Sequence, residues 1–253
     1  MTPHRLPPRA WALLTWTEGR LVVRDTAGLL VPLGLPMLIM VMNGLGADGA
    51  GTDRHRGLPA LDAYIVPLTI VMVVALIGMV NLPAVLASYR RTGYLRRLSV
   101  TPAHPLLVLV AQVLVSLAQA LAGVAIALLV ARLAFEVSMP RDPLTAIGVF
   151  CLVTTAMYAL GMLVAAIAPT TSSAIAIGLV LFFATMAVGG GFGPRENLPG
   201  WLAALGEYLP YGAGLTALSD SWTGAPPDPA HFGALTATAA LAAAAAARTF
   251  RWT

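Results

Sequence analysis

The sequence predicts an all-α integral membrane protein with six transmembrane helices, and three observations carry that prediction. Of 253 residues, 58% are hydrophobic and only 10% charged, with a mean hydropathy of +0.81, whereas a soluble domain carries about 25% charged residues. So few charges cannot cover a water-exposed surface. The apolar residues also run in uninterrupted blocks of about 20, the length that spans the hydrocarbon core of a bilayer. Thirdly, the charges fall between these blocks and are distributed unequally between alternate connections.

The first 25 residues precede the spans. Read as a helix, residues 8–25 put Trp11, Leu14, Leu21 and Val22 on one side and Arg9, Arg20 and Arg24 opposite, the pattern of a helix lying in the membrane interface. Glu18 interrupts the apolar side, and Leu13, Trp16 and Val23 fall off it. The first span covers residues 26–45 and contains Pro32 and Pro36, each of which removes a backbone donor and should kink it. The second covers 63–87, the third 106–131, the fourth 144–168 and the fifth 173–191, with a tight turn at 169–172. The sixth, 231–247, is short and mostly alanine, which is barely favourable in lipid. Between the last two spans lies a semi-apolar stretch, 194–229, with Trp201, Tyr208, Tyr211 and Trp222 punctuated by Pro199 and Pro210. Too broken to span, it is expected to dip into the outer interface as short helices, where Trp and Tyr rings are favoured. No small-residue cleavage site ends the first apolar run, so no cleavable signal peptide is predicted.

Charge sets the orientation and supports the weak sixth span. All 15 basic residues are arginines. With six spans, the N-terminal segment, the loop at 88–105 and the tail at 248–253 share one side, which holds ten arginines against Glu18 and Asp25. The opposite side holds five arginines against nine acids. Cytoplasmic loops are enriched in Lys and Arg, so both termini and the 88–105 loop are expected in the cytoplasm. Nucleic acid is not implied by the pI near 9.7, because the arginines lie between apolar blocks and form no stripe.

Little in the chain supports catalysis. A P-loop needs a lysine for the phosphates, and this chain has none. The run from Gly189 to Gly193 follows no strand and closes a membrane helix, so close packing or backbone freedom is its expected role. The four histidines, at positions 4, 55, 104 and 231, have no metal-site spacing. Cys151, the one cysteine, excludes an internal disulfide and is expected to act as a small buried hydrophobe. Two polar stripes are more informative. Gln112, Ser116, Gln119 and Gly123 share one narrow face of the third span, and Thr154, Tyr158, Gly161 and Ala165 share one face of the fourth. Such faces either hydrogen-bond neighbouring helices or line a translocation path, and both roles stay open for Gln112, Ser116, Gln119, Thr154 and Tyr158. The absence of acidic residues at mid-span argues against ion-coupled secondary transport.

The loop between the second and third spans reads Tyr89-Arg90-Arg91-Thr92-Gly93-Tyr94-Leu95-Arg96-Arg97-Leu98-Ser99-Val100-Thr101-Pro102, and the late external segment contains Asn197-Leu198-Pro199-Gly200-Trp201-Leu202 and Leu209-Pro210-Tyr211. Both resemble the corresponding segments of ABC-2 type permeases, the membrane subunits of ATP-binding-cassette exporters, including the daunorubicin-resistance group. The resemblance covers nearly the whole chain. It implies a type V exporter-like architecture in which the N-terminal stretch with Trp11, Arg20 and Arg24 is an elbow helix. Two permease protomers, here a homodimer, would pair in a bacterial plasma membrane above two copies of an ATP-binding subunit, which would carry the ATP and Mg. Arg96, Arg97, Leu98, Thr101 and Pro102 would then form the coupling contact with that ATPase. The bare residues also allow these arginines to do no more than fix orientation and touch lipid headgroups. The activity implied is export of a hydrophobic or amphipathic drug, antibiotic or lipid-like substrate; the alternative is a secondary transporter or channel of similar size.

Overall fold

The computed structural model describes residues 8–46, 58–92, 106–193 and 195–249. Among them are nine α-helical elements and a single 3-10 turn at Arg195–Asn197: α1 (Pro8–Arg24), α2 (Thr26–Leu45), α3 (Leu61–Arg91), α4 (Leu106–Phe135), α5 (Pro143–Ile167), α6 (Thr171–Val188), α7 (Gly200–Tyr208), α8 (Pro210–Thr223) and α9 (Pro229–Thr249). Six of these, α2 to α6 and α9, are long and apolar enough to cross a membrane. The alanine-rich last span runs to 21 residues, longer than its hydropathy alone predicted. Helix starts follow local chemistry. Asp25 and Asp142 cap α2 and α5 by accepting from the backbone N–H groups of Gly28 and Thr145, each at 3.1 Å. Thr170 and Ser173 form a reciprocal capping box at α6, which makes the sharp turn after α5 possible.

α3 is the hub of the bundle. In its most apolar stretch 89% of residues are buried, against 50% or less in the other five spans. Its backbone is not a uniform α-helix: π-helical segments occupy Leu61–Ile65 and Ile77–Asn81. Each begins six residues before a proline, Pro67 and Pro83 respectively. The ring nitrogen of a proline cannot donate to the carbonyl four residues back, so a turn with i→i+5 bonds is tolerated there, as in Leu82 N–H to Ile77 carbonyl. The second π segment widens the helix and exposes the carbonyls of Gly78 and Met79. Gly161 on α5 and Gly178 on α6 pack directly on them, and a Cβ at either glycine would overlap those oxygens.

The stretch between α6 and α9 departs from expectation in part. α7 is a short helix that leaves Trp201, Leu205 and Tyr208 exposed at the molecular surface. α8 is not a surface helix: Tyr211, Leu215, Leu218 and Trp222 are buried, and the helix packs against α3 and α5. Its aromatic rings are therefore core residues and not interfacial anchors. The glycine-rich turn allows this insertion. Gly189 meets the backbone of Gly212 so closely that a Cβ there would clash, as packing chemistry anticipated. At the same end of the bundle, Asp62 accepts from the Ser138 N–H at 2.8 Å, and the Trp222 indole N–H donates to the Ser138 carbonyl at 3.2 Å. The expected burial of Cys151 is also corrected, since its side chain lies exposed on the outward face of α5.

Candidate functional site

The two polar stripes both turn inward. Gln112, Ser116 and Gln119 on α4 and Thr154 and Tyr158 on α5 are all buried. They do not play one role. Gln119 is fully engaged, donating to the Gly28 carbonyl at 2.8 Å and accepting from the Asn81 amide at 3.2 Å, while Asn81 also donates to Gly28 at 3.1 Å. Gly28 stands four residues before Pro32, so its carbonyl has lost its helical donor, and two side-chain amides replace it. Thr154 bonds back to the Phe150 carbonyl within its own helix at 2.7 Å. By contrast, both amide atoms of Gln112, the Ser116 hydroxyl and the Tyr158 hydroxyl are buried without a hydrogen-bond partner. Tyr158 packs over Gly78 at the π segment of α3.

Gln112 faces a cavity of about 640 Å³ bounded by α1, α2, α3, α4 and α6. It lies towards the end of the bundle formed by α1 and the last turn of α3, the side rich in arginine. Apolar groups from Leu21, Val31, Val80, Ile175 and Leu179 make most of its wall. Polar groups are few: Glu18, Asp25, Asn81, Ser88, Tyr89, Gln112 and Thr171.

α1 contributes to this wall in an unexpected way. Its exposed face carries Trp16 and Val23, 68% and 70% exposed, together with Arg20 and Arg24, whereas Glu18 points inward and is 2% exposed. The interruption at Glu18 therefore marks the protein-facing side of α1. The Tyr89 hydroxyl donates to the Glu18 carboxylate, tying α1 to the end of α3. Burial pushes the Glu18 carboxyl above its ordinary range, and the Tyr89 bond partly opposes that shift. The backbone of Trp11 lies within α1, but its side chain is outside the described residues. Neighbouring Arg90 reaches the end of α5, donating to the Ala166 carbonyl at 3.2 Å and to that of Ala168.

A second cavity of about 1050 Å³ lies between α2, α3 and α7, at the opposite end of the bundle from the first. Tyr64, Asn43, Arg195 and Glu207 supply its polar groups. The Tyr64 hydroxyl donates to the Gly190 carbonyl, and Arg195 Nη2 donates to Thr216 Oγ1 at 2.7 Å. The expected coupling residues Arg96, Arg97, Leu98, Thr101 and Pro102 lie outside the described residues.

The family model described as ABC-2 type transporter matches residues 9–223, from the start of α1 to the end of α8. The chain belongs to the ABC-2 type transporter family. Neither the curated proteins nor the solved structures contain a match. As a family member, this ABC-2 chain is the permease component of an ABC transporter and not itself the ATPase, and membership implies partnership with an ATP-binding subunit. It also decides against the secondary-transporter and channel alternatives. The permease is a multi-pass membrane protein whose α9 lies beyond the matched segment. The sequence reading missed Asn81 and Tyr89 as members of the site. Asn81 carried a signal, as an amide inside an otherwise apolar span that also contains Pro83.

Proposed function

We propose that this permease exports a hydrophobic or amphipathic substrate (drug-like, antibiotic or lipid-like) across a bacterial plasma membrane. It works as a homodimer on two copies of a separate ATPase, with its termini in the cytoplasm. The observation that carries this reading is the cavity on the arginine-rich side: mostly apolar, sparingly polar and of the size that holds a drug-sized molecule. Substrate reaching it from the inner leaflet would meet α1 first. The charge split of ten arginines against two acids supports a cytoplasmic location for that side.

Coupling is assigned to Arg96, Arg97, Leu98, Thr101 and Pro102. This segment joins α3, the most buried span, to α4, whose Gln112 lines the cavity, so a push delivered by the ATPase reaches both at once. Gln112, Ser116, Gln119, Thr154, Tyr158 and the elbow residues Trp11, Arg20 and Arg24 belong to the same proposal, the first group as path or packing residues and the second as interface anchors.

The test is co-purification of the detergent-solubilised chain with an ATPase encoded beside it, followed by transport in proteoliposomes. Arg96→Glu with Arg97→Glu is expected to abolish transport while the permease stays folded. Failure of any ATPase to bind, together with intact transport in the charge-reversed variant, would overturn the reading.

A further inference from the structure

We propose that the inner cavity is a binding site for a protonated amine carried on an apolar body, with Glu18 and Gln112 as its polar contacts. The inference deepens the export reading and rests on it only for treating the occupant as cargo.

Charge placement is the first argument. The arginine-rich side of the chain carries ten arginines and two acids, and both of those acids, Glu18 and Asp25, line this one cavity. Among the described residues, no basic side chain lines it. Arg90 is adjacent in sequence to the cavity residue Tyr89, yet it sends its guanidinium to the α5 carbonyls. A chain using arginine only to mark its cytoplasmic side has no need to clear them from one pocket and collect its acids there. Glu18 is the deeper of the pair and Asp25 the more exposed. Burying a carboxylate is costly without donors, and Tyr89 supplies one neutral donor to a group that accepts at up to about four sites. An ammonium is the donor that restores both charge and hydrogen bonds.

Gln112 is the second and independent argument. It is 1% exposed, lines the same cavity, and neither its oxygen nor its nitrogen has a hydrogen-bond partner. Gln119, seven residues along the same helix face, satisfies both ends of its amide within the protein. A buried amide left unpaired costs stability, so its retention facing a cavity points to a ligand that pairs with it. Its Oε1 accepts from an ammonium, and its Nε2 donates to an ester, hydroxyl or phosphate oxygen beside the amine. Leu21, Val31, Val80, Ile175 and Leu179 take the apolar part. A lipid ethanolamine headgroup and a free amphiphilic amine share this chemistry.

The permease alone, in phosphatidylglycerol nanodiscs, is labelled with dodecylamine bearing a photoreactive diazirine in its chain, and the cross-links are mapped by peptide mass spectrometry. We expect labelling on the α3 and α6 peptides that line the cavity, reduced about tenfold in Glu18→Gln and in Gln112→Leu. Gln112→Leu removes two buried unpartnered atoms, so its Tm should hold or rise, which separates lost binding from lost folding. Diazirine dodecanol of equal length should label wild type and Glu18→Gln alike, and weakly. Equal amine labelling of wild type and Glu18→Gln, or alcohol labelling as strong as amine labelling, would overturn the proposal. Adding phosphatidylethanolamine distinguishes the sources: competition supports a lipid headgroup as occupant, and retained labelling supports a free amphiphile. Because no ATPase is present, a negative result leaves the export reading standing, and failed co-purification leaves this site intact.

Discussion

The Gln119 side chain on α4 donates to the carbonyl of Gly28 on α2 across 2.8 Å, the same carbonyl that Pro32 deprives of its helical partner. Asn81 on α3 donates to it as well, so three spans meet at one proline-induced defect. Gln119→Leu should therefore cost about 1–2 kcal/mol. The double variant with Asn81→Leu should depart from additivity by at least about 0.5 kcal/mol, because the carbonyl loses both donors. Unfolding in bicelles reads this directly, and strict additivity would show that the two amides do not share the acceptor.

Two glycines on α5 offer an internal comparison. Gly161 lies against the Gly78 carbonyl, whereas a Cβ on Gly148 meets nothing within 4 Å. Gly161→Ala should destabilise by about 1–3 kcal/mol through overpacking. Gly148→Ala should be neutral or stabilise by up to about 1 kcal/mol through helix propensity. Equal thermal stability of the two variants would contradict the close seat at the π segment.

Glu18 predicts a pH dependence. Its carboxyl is raised above the ordinary value of 4.5, so the folded chain holds its proton more tightly than the unfolded chain does. Stability attached to this group is present below about 4.5 and is lost as pH rises through the raised folded value. Glu18→Gln should match wild type in acid and exceed it in relative stability at higher pH. Tyr89→Phe, which removes the opposing hydrogen bond, should steepen the loss. Thermal melts across the pH range check both slopes.

Cys151, the sole cysteine, lies exposed on α5 within a membrane span. In proteoliposomes a charged maleimide should leave it unmodified, and denaturation in detergent should make it reactive. Rapid modification in intact vesicles would place this face of α5 in water.

Much of this architecture was legible in the sequence because bilayer thickness constrains span length directly. All six spans fall on helices, and the glycine run at 189–193 closes α6 as packing chemistry required. α8 was misread because hydropathy reports transfer out of water and does not distinguish an interface from a protein interior. Its prolines and glycines signalled a broken helix, and the close approach of Gly189 and Gly212 helps admit it to the core. The site was half legible. Period 3.6 put Gln112 and Gln119 on one face. Which of them is satisfied depends on where Pro32 leaves Gly28, and that is a relation between three helices. Glu18 looked like an error in an amphipathic pattern and is an inward contact to Tyr89.

The seat of Gly161 and Gly178 on the carbonyls of Gly78 and Met79 has a mechanical consequence. Where backbone rests on backbone there are no rotatable side chains to deform, so the joint between α3, α5 and α6 has little give. A torque applied at the Arg91 end of α3 would turn the three helices together as a stiff lever. The compliance of the protomer must then reside elsewhere, at the amide-bridged proline defect of α2 and where the Glu18–Tyr89 hydrogen bond ties α1 to α3.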